Sequence, residues 1–121
     1  MKRNIIKEKS YSFSVRIINL TRVLKNRKVE TVIVNQLLRS GTSIAANVEE
    51  AVAGISKADF SMKLSISYKE AKETGCWLRM LKDTSSISEK EFNSLYKDCD
   101  EILRILWAIL KKTRMSNIHK K

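Results

Sequence analysis

The chain contains no proline and only three glycines in 121 residues. Sheet-rich folds turn often and tightly, and tight turns draw on those two residues, so their scarcity argues against a sandwich or barrel. Histidine occurs once, as His119 in a lysine-rich tail. That removes the imidazole ligands that di-iron bundles set on facing helices, and with them any HExxH zinc helix. Cysteine occurs twice, at Cys76 and Cys99, with no CxxC or CxxxH pattern. In a reducing compartment both read as small buried apolar residues rather than as a disulfide or metal pair. No GxxxxGK[ST] loop, GxSxG elbow or Cys/His nucleophile pair is present. The expectation is a protein without catalysis, cofactor or metal. Long apolar runs are missing too: no stretch approaches the roughly 20 residues that span a bilayer, and Met1–Lys9 lacks the apolar centre of a signal peptide. A cytoplasmic location away from membranes is expected.

What is present in excess is positive charge. The formal net charge is +11, enough to attract polyanions, with nucleic acid first and anionic membrane surfaces or acidic protein faces second; solubility alone is the plainer reading. The excess is uneven. Residues 1–28 carry nine basic side chains and one acidic, whereas residues 29–54 carry one basic and three acidic.

The apolar residues keep a helical period in four stretches. Phe13, Ile17, Leu20 and Leu24 form the first stripe, and Ile33, Leu37, Ser40, Ile44, Asn47 and Ala51 the second. Phe60, Leu64, Ser67, Ala71, Thr74, Leu78 and Leu81 form the third, and Phe92, Leu95, Cys99, Ile102, Leu106 and Ile109 the fourth. Alternation in Tyr11–Ile17 and the β-branched run Val29–Val34 offer a strand alternative, which Ile18 and the in-phase Leu37 defeat. The spacing predicts helices over about 10–25, 30–53, 57–83 and 89–113 within one domain of residues 1–121, flanked by basic tails. Ser56 with Asp59 and Ser88 with Glu91 have capping-box spacing. Gly54 stands where a left-handed residue would end the second helix. The connections are short, so neighbours run antiparallel and the fold class is all-α: an up-down-up-down four-helix bundle. That topology brings the N-terminus, the Gly54 turn and the C-terminus to one end. Lys2, Arg3, Lys7, Lys9, Lys111, Lys112 and Arg114 gather there as candidate phosphate contacts.

Polar residues break the apolar pattern on two flanks. Arg39, Ser43, Asn47 and Glu50 descend one side of the second helix, and Lys63, Glu70, Glu73 and Trp77 a side of the third. Polar groups beside a core need partners, since an unpaired buried one costs about 1–3 kcal/mol. Arg39, Ser43, Asn47, Glu50, Glu70, Glu73 and Trp77 therefore read as a structural or oligomer-sealing network. Gly41 and Gly75 fall inside helical patterns. With Ser40, Thr42, Ser43, Ala45 and Ala46, they make a small-residue surface that admits another backbone. Trp77 and Trp107 are expected in a core or subunit interface, with base stacking as the alternative.

The stretch Gln36-Leu37-Leu38-Arg39-Ser40-Gly41-Thr42-Ser43-Ile44-Ala45-Ala46-Asn47 resembles the signature of the 23S rRNA intervening-sequence proteins. So do Glu50, Ser56-Lys57-Ala58-Asp59-Phe60, Lys69-Glu70-Ala71-Lys72-Glu73-Thr74 and Trp77-Leu78. A related branch includes the accessory protein of diversity-generating retroelements. The resemblance implies an antiparallel four-helix protomer, a homo-oligomeric ring (a pentamer), a basic surface and no established enzymatic activity. It further implies nucleic acid or a reverse transcriptase as partner. Two departures stand out: Glu50 is followed by Ala51, with glycine delayed to Gly54, and Cys76 precedes Trp77 where the family often has an aromatic.

Overall fold

The structure is a computed structural model that describes residues 3–119, with side chains described through Arg114. Four helices make it up, α1 (Ile5–Asn26), α2 (Thr31–Val52), α3 (Lys57–Asp83) and α4 (Glu89–His119). No strand occurs among the described residues.

Three of the four starts carry a side-chain cap, and α2 begins after Glu30 without one. Ser56 Oγ accepts from the Asp59 amide at 3.1 Å, opening α3. Ser88 and Glu91 exchange hydrogen bonds reciprocally, 3.1 Å to the hydroxyl and 2.8 Å to the carboxylate, opening α4. Helix α1 starts at Ile5, five residues before the sequence-based boundary. Asn4 caps it by accepting from the Lys7 amide at 3.1 Å, and Ile6 and Ser10 carry the buried stripe backward from Phe13. The expected basic N-terminal tail is therefore helical from Ile5 onward. Helix α4 likewise continues past 113, to His119.

The ends correct one expectation. Gly54 is not left-handed; the positive φ values belong to Lys28 (61°) and Ser85 (60°). At both, the next amide reaches back to the carbonyl five residues earlier: Val29 to Leu24 at 3.1 Å and Ser86 to Leu81 at 2.8 Å. These are Schellman endings carried by non-glycine residues. Helix α2 closes without one, because Gly54, the residue after its cap, has no positive φ. Gly54 answers a different demand, because a Cβ there would lie 2.8 Å from Asp59 and 2.9 Å from the Ala51 carbonyl.

Consecutive helices pack against one another, α4 returns to α1, and the diagonal pairs do not meet. Cross-helix contacts run in opposite register: Lys7 meets Glu49 and Ser14 meets Gly41, while Lys9 meets Glu101 and Arg27 meets Glu91. The helices are thus antiparallel. Phe13, Ile17, Leu24, Leu37, Ile44, Leu64, Leu78, Leu81, Ile102 and Leu106 fill the axis, each essentially solvent-free. The stripes read from the sequence are this core, except that Ile33, Asn47, Phe60 and Ile109 sit at its margin. Cys99 is buried as expected, and Cys76 is only half-buried.

The seams differ. Between α1 and α2, Gly41 lets Ile17 approach so closely that a Cβ would stand 2.5 Å from its Cγ2. Ser14 Oγ donates to the Gly41 carbonyl at 2.6 Å. The close approach that small residues offered is thus taken, at Gly41, inside the protomer. Between α2 and α3, Ser67 donates to the Ile44 carbonyl and Thr74 to Ser40 Oγ, both at 2.9 Å. The α1/α4 seam is the loosest, and ion pairs lace it at Lys9–Glu101 and Arg16–Asp98, each 2.6 Å.

Candidate functional site

Two surfaces concentrate polar chemistry. On the α2/α3 side the predicted flank assembles around Arg39. Its guanidinium donates to Glu70 at 3.0 Å, to Glu73, and to the Gln36 side chain at 3.1 Å. Trp77 Nε1 donates to Glu73 at 3.0 Å. The indole N–H first, and then Arg39, hold the Glu73 carboxyl below the usual carboxylate range, while Glu73 and Glu70 raise the Arg39 pKa. Arg39, Glu70, Glu73 and Trp77 are thus one cluster. The other flank residues are not in it: Ser43 donates to the Arg39 carbonyl, Asn47 to the Ser43 carbonyl, and Glu50 pairs with Lys63 at 3.3 Å. Ser43 and Asn47 trim their own helix, and Glu50 ties α2 to α3 one end further on.

The predicted phosphate contacts divide into two groups. Arg3 pairs with Glu8 at 3.0 Å, Lys7 with Glu49 at 3.7 Å and Lys9 with Glu101 at 2.6 Å. Lys111, Lys112 and Arg114 are exposed on the last turns of α4 and form no ion pair with any described residue. Lys2 lies outside the described residues. Antiparallel packing places both groups toward one end of the bundle, but the N-terminal cations arrive there with their charge already matched.

The two groups whose titration is most displaced, Cys99 and Glu91, lie away from both surfaces. Burial pushes the Cys99 thiol up to about 12, and that thiol donates to the Ala71 carbonyl at 3.3 Å, so it carries no thiolate to attack with. Glu91 is drawn down to about 2 by the Arg27 fork and by the Ser88 amide and hydroxyl, which leaves it a poor base. Among the described residues no three His, Cys, Asp or Glu side chains cluster as a metal cage. No described helix is long and apolar enough to cross a membrane.

A family model described as the 23S rRNA-intervening sequence protein matches residues 2–108. The chain belongs to that family. None of the curated proteins matches it. Among solved structures, a crystal structure of a protein of unknown function from the S23 ribosomal protein family of Bacteroides thetaiotaomicron superposes with a TM-score of 0.87 at 47% identity, covering 92% of this chain and 99% of that one.

Within this intervening-sequence family member, the stretch Gln36–Asn47 that carries the resemblance has mainly a packing role. Gly41 admits α1, Ser40 accepts from Thr74, and Arg39 ties down two carboxylates of α3. The departure at Cys76 leaves a half-buried thiol before Trp77. The delayed glycine becomes the close turn at Gly54.

One grouping went unread in the sequence. Tyr68 of α3 and Trp107 of α4 meet with ring centroids 5.9 Å apart, tilted by 41°. They line a groove of about 300 Å³ with Lys72, Asp100, Leu103 and Arg104. Trp107 is 55% exposed, which removes the core reading and leaves the subunit interface and base stacking. The signal was its position one residue beyond the stripe residue Leu106, which becomes informative only once Tyr68 is known to lie opposite.

Proposed function

We propose that this protein is a non-enzymatic, homo-oligomeric accessory module that binds nucleic acid through its phosphates. The observation that supports this reading most strongly is a charge imbalance on the surface. Most of the thirteen carboxylates are engaged in ion pairs. Meanwhile Lys69, Lys72, Arg79, Lys97, Lys111, Lys112 and Arg114 on α3 and α4 form none with any described residue. Unmatched cations release the counterions of a polyanion on contact, and that release drives sequence-independent binding. The pairs of Arg3, Lys7 and Lys9 are exposed, so each is worth about 0–1 kcal/mol and yields readily to a competing phosphate. The family's name refers to 23S rRNA, a polyanion of the fitting kind.

Assembly is part of the proposal, with a pentamer as the form the resemblance implies. Support comes from the α2/α3 side, where Ile33, Trp77, Met80 and Leu81 line an apolar hollow of about 220 Å³ and Met62 and Met80 stand exposed. The same apolar surface favours a second reading, a scaffold that docks another protein such as a reverse transcriptase without touching nucleic acid. A titration of labelled RNA and DNA against salt separates the two. The first reading expects complexes at about 50 mM salt that weaken steeply by about 200 mM, alike for all sequences. Reversing Lys111, Lys112 and Arg114 to glutamate flattens that slope and leaves helicity and oligomer mass intact. Absence of any complex at the lower salt transfers the function to the scaffold. Light scattering that returns a 13.9 kDa particle at micromolar concentration removes the oligomer.

A further inference from the structure

Tryptophan is among the most costly side chains to leave in water, since it presents a large apolar area with one polar handle. Trp77 on the α2/α3 side is half-buried and its indole N–H is bonded to Glu73. Trp107 on the α3/α4 side is 55% exposed. It packs against Tyr68 of α3, and the two rings together line a shallow groove. The ring tilt leaves the two aromatic faces splayed rather than stacked shut.

The unpaired charge around this groove is positive. Lys72 stands one turn beyond Tyr68 and forms no ion pair with a described residue. Lys111 stands one turn beyond Trp107, with Arg114 and Lys112 following it. The single acid on the groove, Asp100, is held by Arg104 at 2.9 Å, so it repels little. An aromatic wall between unmatched lysines fits an anion that also carries a planar apolar ring. An acidic peptide supplies the charge but not the regular alternation of ring and charge.

We infer that the α3/α4 groove is a stacking site for an unpaired base of single-stranded nucleic acid, with Trp107 and Tyr68 taking the base and Lys72 and Lys111 the flanking phosphates. This rests on the nucleic-acid reading above and makes it specific. Duplex keeps its bases in the stack and offers the groove only phosphates. A single strand offers both, and stacking on an aromatic tolerates any base.

The test uses the full chain carrying Trp77→Phe, so that Trp107 is the sole tryptophan, with oligo-dT and oligo-U as probes and a duplex of equal length as control. Single strands quench Trp107 emission and the duplex does not. Trp107→Ala in the otherwise unaltered chain lowers single-strand affinity roughly 5- to 150-fold at fixed salt, with the salt slope unchanged, and Trp107→Phe restores most of it. The double charge reversal Lys72→Glu with Lys111→Glu instead flattens the salt slope, by about 0.7 for each phosphate no longer neutralised. Oligonucleotides that bind without altering Trp107 emission, or as tightly to Trp107→Ala, overturn the stacking site while the phosphate reading survives. A Trp107→Ala chain of altered oligomer mass but undiminished affinity overturns it in favour of a protein contact. Failure of every polynucleotide to bind at low salt brings down both readings.

Discussion

Helix α3 has two sides, and each presents a tryptophan in opposite surroundings. Toward α2, Trp77 gives its N–H to Glu73, Arg39 bridges Glu70 and Glu73, and the seam below is stitched by Ser67 and Thr74. Toward α4, Trp107 is open to water in a groove edged by Lys72 and the Arg104–Asp100 pair, above a seam where Gly75 would take a methyl at ordinary contact distance. On the α2 side the charges are tied to one another; on the α4 side Lys72 forms no ion pair with any described residue. An aromatic on a helix surface therefore has no fixed meaning. The charges around it decide whether it closes a contact or offers one.

The core beneath both sides gives the largest expected effect. Leu64 is 1% exposed, so Leu64→Ala should cost about 2–5 kcal/mol in a urea titration with the slope unchanged. A loss below about half a kcal/mol would mean that the α2 and α4 sides do not share one core.

The glycines extend the contrast between tight and loose seams. Gly41→Ala drives a methyl into Ile17 of α1 and should destabilise by about 1–3 kcal/mol. Gly75→Ala meets Tyr96 at 3.4 Å and Cys99 at 3.7 Å, ordinary contact distances. It should stabilise by up to about 1 kcal/mol, the helix propensity that glycine forgoes. Equal signs in thermal unfolding would break the contrast.

Arg39→Ala should loosen the proposed oligomer, followed by light scattering, before it lowers the melting temperature, because the network sits at the surface of the α2 side. Its acid dependence sharpens the point. Glu73 is held below its ordinary value of 4.5, so the native state binds fewer protons than the unfolded chain near that pH. The network thus adds stability above about pH 4.5 and loses it as pH falls below, and Arg39→Ala should make that acid limb shallower. An unchanged limb would leave Trp77 alone responsible for the shift.

The smallest effect is expected at Trp107. Trp107→Ala should alter stability by no more than about half a kcal/mol, as exposed sites do. A larger loss would mean that the groove is held shut by its own aromatics.

Much of the architecture was legible in the sequence, because helical period and capping chemistry are local. Phe13 to Leu24 and Leu64 to Leu81 mark their own buried faces, and Ser88 with Glu91 spells out a helix start. The Arg39, Glu70, Glu73 and Trp77 cluster was legible as well, since two polar flanks on neighbouring helices have to meet. Other features depended on distant chain. The pairing of Lys7 with Glu49 and of Lys9 with Glu101 follows from register between helices, which no local pattern states. Gly54 looked like a left-handed cap from its position, yet Lys28 and Ser85 took that conformation because the returning backbone demanded it. The Tyr68–Trp107 groove needs two helices placed side by side before either residue signifies anything.

The chain's two like turns, at Lys28 and Ser85, each close a helical hairpin, and the connection between hairpins has no such lock. Ile55 in that connection is fully exposed, which makes it the natural place for a protease to cut. A nick there would sever one peptide bond and remove no packing. The α2/α3 seam is the most closely packed of the four, so the halves would stay clasped by Ser67, Thr74 and the Arg39 carboxylate pairs. Covalent continuity matters least where the two halves grip each other most tightly.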